Sequence, residues 1–372
     1  MHNIALIGAG KIGSIIAEFL THSGDYQVTL IDQNAERLQQ VKDHVPGITT
    51  QTLDATDEAG LTQAFSNQFA VLNACPFDVG GTIAKAAAAS NTHYFDLTED
   101  VQSTRFIREL AQSSDCAFIP QCGLAPGFIS IVAHHLAKDF ESLHNVHMRV
   151  GALPIYPTNA LKYNLTWSTD GLINEYLNPC ESIVNGQKRE VLPLEELEHF
   201  SLDGVEYEAF NTSGGLGTLC DTLEGKVENL NYRTVRYPGH RDIMKLLIKD
   251  LRLGQRTDVL KDILENSLPI TMQDVVLVFV TVSGQKNGHF MQNTWSRKIY
   301  ARELYGRTHS AIQITTASGI CAALDLLAGG DLPQSGFVKQ EDIPFERFIN
   351  NRFGANFVRD TTIPTMDGQK PA

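Results

Sequence analysis

Residues 4 to 32 read Ile4-Ala5-Leu6-Ile7-Gly8-Ala9-Gly10-Lys11-Ile12-Gly13, then a helical run, then Gln27-Val28-Thr29-Leu30-Ile31-Asp32. The apolar run of four that ends at Gly8 has the pattern of a strand buried on both faces in a parallel sheet. Gly8, Gly10 and Gly13 fit G-x-G-x-x-G, in which the first glycine makes the tight turn. The second lets a pyrophosphate approach the backbone, and the third lets the next helix pack closely on the strand. Ile12, Ile15, Ile16, Phe19 and Leu20 recur at helical spacing, so a helix N-terminus faces the phosphates. The backbone from Gly8 through Lys11 and Ile12 to Gly13 is therefore the expected dinucleotide cradle. Asp32 closes the second strand about twenty residues past the glycines, where an acid accepts from both adenosine ribose hydroxyls and repels a 2′-phosphate. No Lys or Arg follows Asp32 before Arg37. NAD is expected in preference to NADP.

Outward from this stretch, the first 125 residues alternate short apolar runs with helical patterns, the signature of a doubly wound parallel sheet. Asp54 ends a third strand near the adenine, and Ala70 to Phe77 is a fourth strand running into a loop. Loops at the carboxyl ends of such strands line the ligand crevice, which places Asn73, Cys75, Pro76 and Phe77 by the nicotinamide half. A helix is expected over Thr82–Ala89. His93 to Thr98 and Cys116 to Gln121 are the fifth and sixth strands, putting Asp96 and Thr98 at a crevice-facing strand end. Asp96 serves equally well as a helix cap. A helix over Phe128–Phe140 follows, with His134 and His135 structural or exposed.

From Asn145 longer alternating strands begin: Val146, Met148 and Val150; Leu161, Tyr163, Leu165 and Trp167; Val276, Val278 and Val280; Trp295, Arg297 and Ile299. They predict an antiparallel or mixed sheet. Lys188 to Tyr207 is acidic and reads as peripheral. A helix over Thr316–Ala328, closed by Gly329-Gly330, returns the chain to the first domain. The expected architecture is α/β: a Rossmann domain over 1–125, completed by 310–372, with an inserted α+β domain over 126–309 for substrate binding and dimerisation. The tail after Arg359 is polar, with Pro and Gly, and is expected to be loosely ordered.

The bulk numbers exclude several classes. A chain of 372 residues, 42% hydrophobic and 20% charged, suits a globular protein of two domains. Its net charge of −13 argues against nucleic acid or an anionic membrane as partner. The six cysteines are scattered, without zinc-like spacing, so no metal site is expected and the thiols read as reduced. No signal peptide is recognised, and no apolar stretch approaches the ~18 residues of a membrane span. A cytoplasmic protein is expected.

Two polar clusters in the middle region exceed what folding asks for. One is Tyr163-Asn164-Leu165-Thr166-Trp167-Ser168-Thr169-Asp170-Gly171; the other is Arg233-Thr234-Val235-Arg236-Tyr237-Pro238-Gly239-His240. Arg holds a carboxylate in bidentate fashion, and His or Tyr exchanges protons near neutral pH. Core packing accounts equally for Trp167, and an exposed turn for His240; Arg233 and Arg241 read as surface charges.

These stretches, with Tyr94-Phe95-Asp96-Leu97, Gly123-Leu124-Ala125-Pro126-Gly127 and Glu175-Tyr176-Leu177-Asn178-Pro179-Cys180, resemble the saccharopine dehydrogenase-like family, in particular its lysine 6-dehydrogenase branch. Saccharopine-forming members look like G-L-D-P-G where this chain carries Ala125, a departure that favours the lysine branch. The resemblance implies oxidative ε-deamination of L-lysine to 2-aminoadipate 6-semialdehyde and ammonia. Within it, proton transfer falls to His240 or Asp96, with Tyr237 orienting. Asp170 would hold the substrate amine and Arg236 its α-carboxylate, while Trp167, Tyr163 and Phe77 line the methylenes. A saccharopine or carboxynorspermidine-type enzyme acting on a secondary amine is the alternative. A non-catalytic NAD-binding protein is a third reading, weakened by the retained Arg, Tyr, His and Asp. Alternating strands with an apolar outer face make a homodimer the expected assembly.

Overall fold

The computed structural model describes residues 1–359; the tail beyond Arg359 lies outside the described residues. The chain divides into two compact units, Met1–Ile131 with Thr315–Val358, and Val132–Ile314 with Arg359.

In the first unit, strands β1 (His2–Ile7), β2 (Tyr26–Asp32), β3 (Thr49–Thr52), β4 (Ala70–Asn73), β5 (His93–Asp96) and β6 (Ala117–Ile119) form a parallel sheet. Its spatial order is 3-2-1-4-5-6, extended beyond β6 by a short strand at Gly336–Phe337. The order reverses between β1 and β4, which is where such sheets bind ligands outside their carboxyl ends. Helices α1 (Lys11–Ser23), α2 (Ala35–Lys42), α3 (Glu58–Phe65), α4 (Phe77–Ala89) and α5 (Val101–Ala111) connect the strands. The core between sheet and helices is built from residues such as Ile7, Phe65, Ile83, Tyr94 and Phe118.

Helix α4 starts at Phe77, five residues before the sequence-based expectation. The helix runs through Gly80 and Gly81, where a Cβ would make only ordinary contacts, with Asn73 Nδ2 and the Phe106 ring at 3.5 Å. Phe77 therefore stands in the first turn of a helix and not in a loop.

Helix α6 (Phe128–Ala137) leads into the second unit. Its mixed sheet uses β7 (Ser142–Pro154), β8 (Cys180–Val184), β9 (Gln187–Val191), β10 (Glu198–Leu202), β11 (Val205–Asn211), β12 (Val227–Arg236), β13 (Asp274–Lys286) and β14 (His289–Tyr300). The main path runs β10-β11-β12-β7-β13-β14, with β12 and β7 parallel and the other neighbours antiparallel. Helices α7 (Thr169–Leu177), α8 (Leu219–Leu223), α9 (His240–Lys245) and α10 (Thr257–Ser267) complete the unit. One core gathers Tyr163, Leu172, Tyr176, Phe210, Met244 and Leu260. A second lies around Leu153, Tyr207, Val235 and Leu277, with Phe200, Tyr237 and Phe279 half-buried beside it.

One expectation is corrected here. Leu161 to Trp167 is a loop carrying one isolated bridge, Leu165 to Ile270. Residues of both parities, Leu161, Tyr163, Asn164, Leu165 and Thr166, are buried, so the alternation reflects a segment threaded through the core. The acidic stretch from Lys188 to Tyr207 is carried largely by β9 and β10 at the margins of the sheet, where Arg149 donates to both oxygens of Glu198, at 2.5 and 3.1 Å.

Helix α11 (Ala311–Ala328) also begins five residues earlier than expected. Asp274, fully buried at the start of β13, takes the N–H groups of Ala311 and Ile312 at 2.5 and 3.0 Å. The anchor is remote in sequence, so the local pattern does not show it. By length and composition this 18-residue helix could cross a membrane, which corrects the expectation of no such stretch. It is 72% buried inside the fold, as the core helix of a globular protein is.

Candidate functional site

The glycine loop has the geometry of a dinucleotide cradle. Gly8 stands at φ +101°, a region that favours glycine, and a Cβ at Gly13 would fall 1.8 Å from the Gly8 carbonyl oxygen. Nothing lies within 4 Å of the position of a Gly10 Cβ. No side chain caps α1, whose first residues are Lys11 and Ile12, so its N-terminus is open to an anion. Asp32 ties β2 to this loop: Oδ2 accepts from Ala9 N–H at 2.7 Å and Oδ1 from Asn34 N–H at 2.8 Å. Each oxygen retains an acceptor position for a ribose hydroxyl. These residues fit an adenine dinucleotide. Asp54 is exposed after β3, and its oxygen accepts both the N–H and the hydroxyl of Thr56, which lowers its pKa.

At the ends of β4, β5 and β6 one buried chain joins three loops. Asn73 Oδ1 accepts from Cys75 N–H at 2.9 Å, and its Nδ2 donates to the Tyr94 hydroxyl at 3.2 Å. That hydroxyl donates to Asp96 Oδ2 at 3.0 Å, while Asp96 Oδ1 accepts from Thr98 N–H at 3.1 Å and Gln121 N–H at 2.8 Å. Asn73 is thus occupied within the fold, whereas Cys75 and Phe77 are half-exposed and Pro76 is exposed. Burial pushes the Asp96 carboxyl up to about 6, against the pull of its three donors. Burial likewise pushes the Cys75 thiol up to about 12.

In the second unit the structure brings Arg236, His240, Tyr163 and Trp167 together. Strand β12 ends at Arg236, and the Pro238-Gly239 turn, with Gly239 at φ +99°, starts α9 at His240. Glu208, buried on β11, pins this turn by accepting from Gly239 N–H at 2.8 Å and Arg241 N–H at 2.7 Å. The Arg236 guanidinium lies 5.1 Å from the Tyr163 ring centre and 5.9 Å from that of Tyr176. Its Nε donates to the Tyr176 hydroxyl at 3.0 Å and Nη1 to the Val235 carbonyl at 2.8 Å. Burial opposes its charge, but Tyr176, Tyr163 and Glu175 more than offset that and hold the cation. Trp167 Nε1 donates to the Tyr163 hydroxyl at 3.1 Å.

His240 does not have the properties of a proton carrier. It is fully buried, with Nδ1 3.0 Å from the Leu161 carbonyl and Nε2 3.0 Å from the Tyr176 hydroxyl. Burial first, and then the Arg236 charge, push its pKa down to about 3, so the ring stays neutral at physiological pH.

Tyr237 and Asp170 stand apart from this cluster. Tyr237 follows the last residue of β12; its hydroxyl donates to the Pro154 carbonyl at 2.9 Å and its ring stacks on Tyr207 at 5.8 Å. Asp170 is exposed in the first turn of α7 and accepts from Lys261 at 2.7 Å. Tyr176, Glu175 and Glu208 are the members that sequence reasoning did not single out. The spacing of Leu172, Ile173 and Tyr176 on the buried face of α7 is the available signal for Tyr176. Among the described residues no group of three or more His, Cys, Asp or Glu could hold a metal.

Comparison with known proteins bears on both units. Residues 4–117 match the saccharopine dehydrogenase NADP binding domain and residues 123–359 the saccharopine dehydrogenase C-terminal domain. Mitochondrial alpha-aminoadipic semialdehyde synthase of Rattus norvegicus is 20% identical over 190 residues, covering 50% of this chain and 20% of that protein. The Bos taurus protein is 18% identical over 317 residues, 80% of this chain and 33% of its own. The chain thus spans a fifth to a third of the length of these curated relatives. Apo saccharopine dehydrogenase (L-Glu forming) of Saccharomyces cerevisiae superposes with a TM-score of 0.78 at 16% identity, covering 94% of this chain and 97% of its own. Legionella pneumophila homospermidine synthase, solved with NAD, gives 0.66 at 13% identity over 100% and 94%. These two structures share the fold. With both domain models matched in order, and a glycine cradle shaped for a dinucleotide, the chain belongs to the saccharopine dehydrogenase-like family of nicotinamide-dependent oxidoreductases.

Proposed function

We propose that the chain is an NAD-dependent dehydrogenase that oxidises the ε-amine of L-lysine to an imine, which water hydrolyses to 2-aminoadipate 6-semialdehyde and ammonia. The observation that carries the reading is Arg236: a buried cation flanked by phenols, its Nε held by Tyr176 and its Nη1 by the Val235 carbonyl. A guanidinium so placed suits the α-carboxylate of an amino acid. Asp32, with acceptor positions left and no cation following it before Arg37, supports NAD over NADP. When bound, the oxidised nicotinamide supplies a hydride acceptor for the carbon that carries the amine.

The ammonium must first lose a proton, because a positive nitrogen cannot push electrons into the breaking C–H bond. Of the groups considered for that task, His240 is neutral with both nitrogens engaged, and the Tyr237 hydroxyl is spent on Pro154. Asp96 alone has a pKa, about 6, in the working range of a general base, and one acceptor position remains on its Oδ2. Proton transfer is therefore assigned to Asp96, with Tyr94 and Asn73 as its support. Trp167 and Tyr163 supply apolar surface beside the carboxylate anchor.

The match to saccharopine dehydrogenase domain models supports a second reading, in which the C–N bond belongs to a secondary amine. Incubation with NAD and L-lysine at alkaline pH separates the two. Equal yields of NADH and ammonia are expected. Absence of both, with NADH oxidised only when an aldehyde and an amino acid are supplied together, would transfer the chain to the secondary-amine branch.

A further inference from the structure

The hydrogen bonds around Tyr176 admit one proton order. The Leu161 carbonyl only accepts, so His240 Nδ1 carries the proton and Nε2 presents a lone pair. That lone pair needs a donor, which the Tyr176 hydroxyl supplies at 3.0 Å. Having donated, the same oxygen accepts from Arg236 Nε at 3.0 Å. A protonated His240 would face the hydroxyl with a second donor and break the chain. Both the neutral imidazole and the cation are thus written into one directed relay, Arg236 to Tyr176 to His240 to Leu161. The relay occupies the Nε edge of the guanidinium and Nη1 donates to the Val235 carbonyl, so the remaining Nη N–H groups are the ones that can meet a ligand.

We propose that Tyr176 is a positioning residue that determines specificity for substrates bearing a carboxylate, by locking Arg236 in this orientation against a permanently neutral His240. The proposal deepens, and rests on, the reading that Arg236 binds the substrate carboxylate. Its consequence is that Tyr176 and His240 govern amino-acid affinity and take no part in proton transfer.

The test compares Tyr176→Phe with the wild type on L-lysine and on cadaverine, the same diamine without its carboxylate. For L-lysine a rise in KM of about 10- to 100-fold is expected, the loss of one charge-assisted hydrogen bond. The expected kcat stays within about threefold, and neither the cadaverine parameters nor the NADH dissociation constant moves. An unchanged lysine KM, or an equal loss for both amines, would overturn the proposal. If the wild type turns over neither amine, the deamination reading has failed. The relay is then judged by quenching of tryptophan fluorescence on titrating L-lysine and L-glutamate with NAD present. Weaker binding by the variant supports it; equal binding, or no binding of either by the wild type, overturns it. A wild-type measurement guards against a variant that does not fold. Nitrogen-15 NMR of His240 is expected to show the Nδ1–H tautomer without titration from pH 8 to pH 5, and a titration near pH 6 would refute the relay.

Discussion

Replacing Asp274 by Asn sets two opposing effects on one buried carboxylate against each other. Desolvation disfavours the anion, while the Ala311 and Ile312 N–H donors at the start of an 18-residue helix favour it. Burial wins: the carboxyl rises from 3.8 to about 6. Because the folded state holds this proton more tightly than the unfolded chain, the contribution of Asp274 is fully present below pH ~4 and declines as pH rises towards ~6. A shift of roughly two units makes that decline ~3 kcal/mol. An Asn cannot titrate, and its amide accepts from only one of the two N–H groups, at a cost of ~1–3 kcal/mol at every pH. In urea melts the variant is therefore expected to be less stable than wild type at pH 4.5 and nearly equal to it at pH 7.5. Asp96 titrates in the same window in both proteins, so the difference between them isolates Asp274. A gap that widens as pH rises would show that the helix terminus outweighs desolvation and refute the reasoning.

Four further outcomes follow from the geometry. Gly13→Ala places a Cβ 1.8 Å from the Gly8 carbonyl and is expected to weaken NADH binding, read by its fluorescence, by at least ~10-fold. Asp96→Asn is expected to lower kcat by ~100-fold or more and to remove an acidic limb near pH 6 from the pH–rate profile; persistence of that limb would absolve Asp96. Asp32→Ala is expected to narrow the preference for NAD over NADP in steady-state kinetics, since it removes both the ribose acceptor and the charge that repels a 2′-phosphate. We propose that a second copy pairs on the half-buried sheet face around Phe200 and Phe279, over which the Arg149 guanidinium lies at 6.0 and 5.1 Å; Phe279→Glu should then give a monomer by sedimentation.

Much of the nucleotide-binding fold was legible in the sequence because its signals are local: an apolar run, three glycines at fixed spacing and an acid at the next strand end. Elements placed by distant partners were not. The start of α11 depends on Asp274, thirty-seven residues away. The same division runs through the site. Arg236, His240, Tyr163 and Trp167 share two short polar stretches, and the fold brings the two stretches together. Tyr237 and Asp170 stand apart from them: the Tyr237 hydroxyl is held by Pro154 beyond the end of β12, and a helix start offers the Asp170 carboxylate to solvent as readily as to a ligand. Glu208 carried no signal, being one acid among several in an alternating strand.

A hydroxyl that both accepts and donates sits at the centre of each unit's buried polar chain, and how each chain terminates decides its chemistry. Tyr94 passes from Asn73 to Asp96, a carboxylate with an acceptor position left and a pKa of about 6, so this chain can take up a proton. Tyr176 passes from Arg236 to a neutral imidazole that ends on the Leu161 carbonyl, so this chain is closed to protons and can only orient a charge. Loss of the two hydroxyls should then separate kinetically. Tyr94→Phe removes a donor from the Asp96 anion, which raises its pKa further and moves the acidic limb of kcat upward. Tyr176→Phe leaves that limb in place and acts on KM alone. If both variants shift the limb, the proton and the anion share one network, and the separation argued from the chain ends is wrong.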